Sequence, residues 1–145
     1  MARSTASGAR FLRETDPELL AELNAHAFML QLDRRGASDF KCYGLPVSEA
    51  FLAYVQAATG YARNEGKGRT DIQVLCADVC GVNLSVGYYD EHKPEERVEY
   101  AEWAHTLDVV RAMLAKPLTR FPLTEHSPMP ELPASSAPGA LMQRG

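Results

Sequence analysis

The side chains with the most chemistry to offer gather in one stretch, "IQVLCADVCGVNLSVGYYDEH", where Cys76 and Cys80 stand four residues apart and His92 follows. Thiolates and imidazoles are zinc ligands, and Cys42, His26 and His105 could join them. Structural zinc sites usually draw on two cysteine pairs, however, and this chain has one. Buried thiols acting as small hydrophobes are the simpler reading, so no metal or cofactor is expected. A second cluster lies in "RNEGKGRT", where Arg63, Lys67 and Arg69 form a candidate anion-binding set with glycines around the last two. Backbone N–H groups of such a turn can hold phosphate. It is not a P-loop, because Gly68 stands where a magnesium-binding Ser or Thr is required. The third cluster is acidic: Glu91, Glu95, Glu99 and Glu102 follow helical spacing. Like charges so arranged repel rather than stabilise, which points to a partner with a basic surface. Neither a nucleophile elbow nor a metal-binding histidine pair is present, so a non-enzymatic role is expected.

Helices must carry most of these groups. "TDPE" at Thr15–Glu18 has the form of a capping box with Pro17 in the first turn, and Leu20, Leu23, Ala27 and Leu30 continue at helical spacing. A helix is expected over 16–35. A second, from Pro46 or Ser48 to about Gly66, presents Phe51, Tyr54, Val55 and Tyr61. A third starts at Pro94, with Tyr100, Trp103, Leu107, Val110 and Leu114 as its buried stripe, and ends before Pro117. Between the second and third, Ile72, Val74 and Cys76 alternate, as do Val82, Leu84, Val86 and Tyr88 after a turn at Asp78–Gly81. Alternation predicts a β-hairpin.

The same stretch also tolerates a helical reading from Thr70 to Gly81. In that form "IQVLCADVCGVNLSVGYYDE" resembles the helix-turn-helix of mercury-resistance-type (MerR) regulators, in which two helices lead into a Tyr-Tyr-Asp-Glu sequence like Tyr88–Glu91. The likeness covers about twenty of the 145 residues, and Gly87 stands where that family usually has an arginine. It implies an all-α fold with a helix-turn-helix at 71–91 and a DNA-binding regulator. It would leave "VNLSVGYY" without a partner for its backbone groups if that segment were extended.

Charge decides between these readings. The chain has 15 basic and 19 acidic residues, a net charge of −4, and its first thirteen residues hold three arginines and no acid. The remainder is therefore more acidic than the whole, a poor match for phosphates. Eleven arginines against four lysines, with abundant alanine, fit a GC-rich bacterial or phage genome. No run approaches the roughly 20 apolar residues of a membrane span, and an odd, small number of cysteines suits a reducing compartment, so the cytoplasm is expected. The expected organisation is a flexible basic arm at 1–13, one compact domain at 14–116 and a Pro-rich disordered tail at 117–145, which includes "PELP" at Pro130–Pro133. The expected fold is α+β, three helices packed on a small antiparallel β-hairpin. The expected function is a protein-binding or regulatory accessory module that meets a basic partner through its acidic helix and self-associates through Tyr88 or Tyr89. The DNA-binding regulator is the runner-up, and a small enzyme without a recognisable motif comes third.

Overall fold

A computed structural model of the chain describes residues 6–66 and 68–126. They form five helices and one five-stranded mixed sheet: α1 (Ser7–Thr15), α2 (Pro17–Asn24), β1 (Met29–Arg35), β2 (Asp39–Lys41), α3 (Glu49–Thr59), β3 (Ala62–Asn64), α4 (Asp71–Leu75), β4 (Gly81–Tyr89), β5 (Arg97–Val98) and α5 (Tyr100–Leu114). Three helices on a hairpin is therefore wrong, and so is the all-α alternative. Each reading of the central stretch holds for one half of it: 71–75 is a short helix and 81–89 is a strand. The unpaired backbone that counted against that combination is satisfied by distant segments, because β4 pairs in parallel with β1 and antiparallel with β2. No second helix follows the turn, so the likeness to a helix-turn-helix ends there.

The sheet runs β1-β4-β2-β3, with β5 adding to the end of β4. The β2–α3–β3 segment is a crossover between parallel strands, Asp39 to Lys41 pairing with Ala62 to Asn64. Paired residues share a sheet face, so the register divides the side chains into two sets. Leu30, Phe40, Val82 and Leu84 lie on one face, under Phe51, Leu52 and Val55 of α3 and Val110 and Met113 of α5. Gln31, Asp39, Lys41, Asn64, Asn83 and Ser85 lie on the other.

Local signals explain the helix ends. Asp16, not Thr15, caps α2 by accepting from the Leu19 N–H at 3.0 Å, with Pro17 at the first helical position. The helix expected over 16–35 ends at Asn24, and its second half is the edge strand β1. Ser48 caps α3, and Gly60 ends it in the left-handed conformation that glycine adopts without strain. The third helix starts at Tyr100 rather than Pro94. At Gly87 the backbone has φ +72, and a Cβ would lie 2.7 Å from that of Glu102, so only glycine lets the start of α5 lie against β4.

Boundaries drawn from composition cut through ordered structure at both ends. Residue 13 falls inside α1. Beyond Pro117, Phe121 joins the ladder of contacts, its N–H donating to Ala27 and its carbonyl accepting from the Cys80 N–H, while Leu123 is 4 % exposed. The segment "PELP" lies outside the described residues.

Candidate functional site

The second face of the sheet is polar yet partly enclosed, since Asn83 is 1 % exposed and Ser85 fully buried. Buried polar side chains are the informative exceptions in a core, and these two are held by a cross-strand network. Asn83 Nδ2 donates to Asp33 Oδ1 at 2.6 Å and to the Tyr43 hydroxyl at 3.1 Å. Gln31 Nε2 donates to the other Asp33 oxygen at 2.7 Å, and Gln31 Oε1 accepts from the Thr70 hydroxyl at 2.8 Å. Alongside, Arg34 reaches Asp39 through two nitrogens, at 3.2 and 2.8 Å, and Asn64 Nδ2 donates to the same carboxylate at 3.0 Å, while the Asp39 N–H donates to Ser85 Oγ and the Ser85 hydroxyl donates to the Asp39 carbonyl. Burial works against the Asp39 charge, but these donors outweigh it and hold its pKa below the usual carboxylate value. Burial likewise opposes the charge of Arg34, and Asp39 overcomes it, so the guanidinium pKa rises.

A cleft of about 490 Å³ opens beside this network, lined by Arg34, Arg35, Lys41, Tyr43, Arg69 and Asp33 among others. Two glycines of the neighbouring loop lie close to its lining: a Cβ at Gly68 would touch the Tyr43 ring at 3.0 Å, and one at Gly66 would meet Lys41 Nζ at 3.1 Å. Tyr43 and, across the cleft, His92 both have positive φ, at 53 and 64, a conformation that costs non-glycine residues energy.

A second cleft, about 540 Å³, lies around the edge strand and the start of α5. Leu32, Val86, Tyr88, Val98 and Trp103 line it, with Asp33, Glu91 and Glu96 around them. Trp103 and Tyr100 belong to the stripe that was expected to be buried, yet they are 41 % and 76 % exposed. The buried residues of α5 are instead Thr106, Val110 and Met113.

The candidate residues are distributed as follows. Glu91 and Glu95 precede α5 and are not on it; Glu99 is its N-cap residue and Glu102 lies in its first turn. The four therefore do not form a helical ridge. Glu102 accepts from the Tyr89 hydroxyl at 2.7 Å, Glu99 pairs with Arg97 at 3.1 Å, and Glu91 is 3.6 Å from Arg35. Of the anion set, Arg69 lines the polar cleft, Arg63 sits on β3 beside Glu65, and Lys67 lies outside the described residues. Cys76 and Cys80 precede β4 in the core, whereas His92 follows the far end of the strand. Burial pushes the Cys42 and Cys76 thiols up to about 12, and the Cys80 thiol up as well. No group of three metal-ligating side chains occurs among the described residues. His26 and His105 are exposed on the surface, away from the thiols' interior setting.

Sequence reasoning missed Gln31, Asp33, Tyr43 and Asn83. The signal was the alternation Asn83, Ser85 between Val82, Leu84 and Val86, which marks a strand with one polar face. Set against protein-family models, curated proteins and solved structures, the chain matches none. Among the described residues no helix is long and apolar enough to cross a membrane.

Proposed function

We propose that the chain is a non-enzymatic protein-binding module whose partner presents a basic, apolar-tipped segment to the β5–α5 surface. One observation carries this reading: Val98, Tyr100 and Trp103 are 56 %, 76 % and 41 % exposed, with the Tyr100 and Trp103 rings 5.7 Å apart and Val98 and Trp103 lining one cleft together with Glu91 and Glu96. Exposed apolar clusters with polar rims mark interaction sites, and Trp and Tyr are the residues that most often anchor them. Residues 88–103 hold six acids and two bases, so the rim selects a cationic partner. The acidic residues first grouped as a helix ridge serve here as that rim. The three buried thiols suit a reducing compartment, and we assign the module to the cytoplasm on that basis.

Selection of displayed random peptides on the full chain tests the reading. Enrichment of sequences that flank a large apolar residue with Lys or Arg, and loss of their binding on Trp103→Ala, is the expected result. Enrichment of acidic sequences, or binding indifferent to Trp103→Ala in a folded variant, overturns it.

A further inference from the structure

We propose that the partner segment docks as an added β-strand along the outer edge of β1, with an apolar side chain set between Leu32, Val86 and Trp103; this rests on the protein-binding reading above and says how that surface is engaged. Among the described residues β1 is a terminal strand of the sheet and pairs with β4 alone. Consecutive residues of a strand aim their N–H and C=O groups at opposite edges. The Met29 N–H donates to the Cys80 carbonyl at 2.9 Å, and Met29, Leu30 and Gln31 stand in unbroken register with Gly81, Val82 and Asn83. Met29 and Gln31 therefore face β4, and Leu30 turns its N–H and C=O outward. Leu32 follows where the register shifts, and it has no partner residue on β4. Outward backbone groups of this kind are a template for an incoming strand.

Two clefts flank this edge. One, of about 400 Å³, is lined by Leu30 and also by Gln31, which lies on the opposite face of the sheet, so it opens at the edge itself. The other is the cleft of about 540 Å³ at Trp103, where Leu32 is 38 % exposed. Two residues of a strand advance about 7 Å, so an extended segment of about four or five residues passes both clefts. Its side chains alternate between the faces, which sends every second one toward α5, where Val86 and Trp103 can take an apolar anchor. Charge then sets the class of partner. The two linings contain Asp33, Asp71, Glu91 and Glu96 and neither lysine nor arginine. Arg35 offsets Glu91 at 3.6 Å, and Arg34 is turned to Asp39, so the edge stays negative. An extended segment with Lys or Arg beside a large apolar residue matches it, whereas a second copy of this chain would bring the same acids against one another.

Backbone N-methylation, one position at a time, of a basic peptide selected on the full chain tests the mode of docking. Each methyl group removes a main-chain donor and leaves the side chains in place. Affinity is expected to fall about tenfold at every second position across the docked residues and to hold at those between, the loss of one hydrogen bond at each. On the protein side, Leu30→Pro removes the outward N–H and no ladder bond, a change that edge strands tolerate, and it should weaken the same peptide about tenfold. The methyl scan uses the natural chain, so it decides the matter even where that variant fails to fold. A scan without alternation, in a peptide that still needs Trp103, overturns the added strand and leaves the protein-binding reading standing. Selection that yields no Trp103-dependent peptide overturns both. Self-association of the unliganded chain that Leu30→Pro abolishes assigns the edge to a second copy and overturns the proposal as well.

Discussion

Asn24 joins three elements through one amide. Its Nδ2 donates to the Leu20 and Leu75 carbonyls, both at 2.9 Å, and its Oδ1 accepts from the N–H groups of Ala77 and Asp78, also at 2.9 Å. The side chain is 2 % exposed, so Asn24→Ala strands buried backbone donors that water cannot reach. A loss of about 2–4 kcal/mol in urea unfolding is expected, and Asn24→Asp, which keeps the acceptor, loses less. A cost under about 0.5 kcal/mol would show that α4 finds other partners. Asp39 makes a different prediction. Burial opposes its charge, the Arg34 and Asn64 hydrogen bonds outweigh that, and its folded pKa lies below the unfolded value. The carboxylate therefore stabilises the fold fully above the unfolded pKa of about 3.9, and that contribution is lost as pH falls through the lower folded value. The urea midpoint of Asp39→Asn should vary less with pH than that of the natural chain below about pH 4.

Residues 121–124 behave as a sixth strand-like element, although composition marks their surroundings as tail. Phe121 lies 5.1 Å from the Tyr54 ring and 5.4 Å from that of Phe51, and the next residue bridges to Val79. Phe121→Ala should cost about 2–4 kcal/mol. A chain ending at Lys116 should also open the thiol at Cys80, whose Sγ lies 3.4 Å from the Pro122 carbonyl. Reaction with a thiol reagent under native conditions is expected to be slow in the full chain and fast in the shortened one; equal rates would mean the strap does not cover the core. Elements were legible where their signals were local. The Ser48 cap and the Val82–Leu84–Val86 alternation mark what the structure contains, whereas the helix expected to run to about Gly66 stops at Gly60 because β3 follows at once. The β1 strand was not, because Leu20, Leu23, Ala27 and Leu30 keep helical spacing across the helix end, and Leu30 and Leu32 alternate over too few residues to compete. Its partner β4 is fifty residues away, and parallel pairing over that distance leaves no turn to read. The polar cleft was half legible for the same reason: the glycine-rich loop drew attention to Arg69, but Gln31, Asp33 and Asn83 meet only through that long-range pairing.

Across the whole molecule, the proposed partner surface separates the roles of charge and apolar area in a way that kinetics can read. The segment from Tyr88 to Trp103 holds six acids and two bases in a chain of net charge −4, so a cationic partner is steered to the face where the aromatic anchors stand. Steering acts on encounter and is screened by salt, whereas a buried anchor acts on escape. For a peptide selected on this surface, replacing Glu95, Glu99 and Glu102 with Gln should slow association about tenfold at low salt and leave dissociation nearly unchanged. Trp103→Ala should do the reverse, speeding dissociation about tenfold or more with little effect on association. Glu102 complicates the first variant, because it accepts from the Tyr89 hydroxyl at 2.7 Å; glutamine retains an acceptor there, which keeps the start of α5 in place. Added salt should erase the difference in association rate between the natural chain and the glutamine variant. If the glutamine variant instead changes only dissociation, the acids contact the partner directly and the rim is part of the anchor.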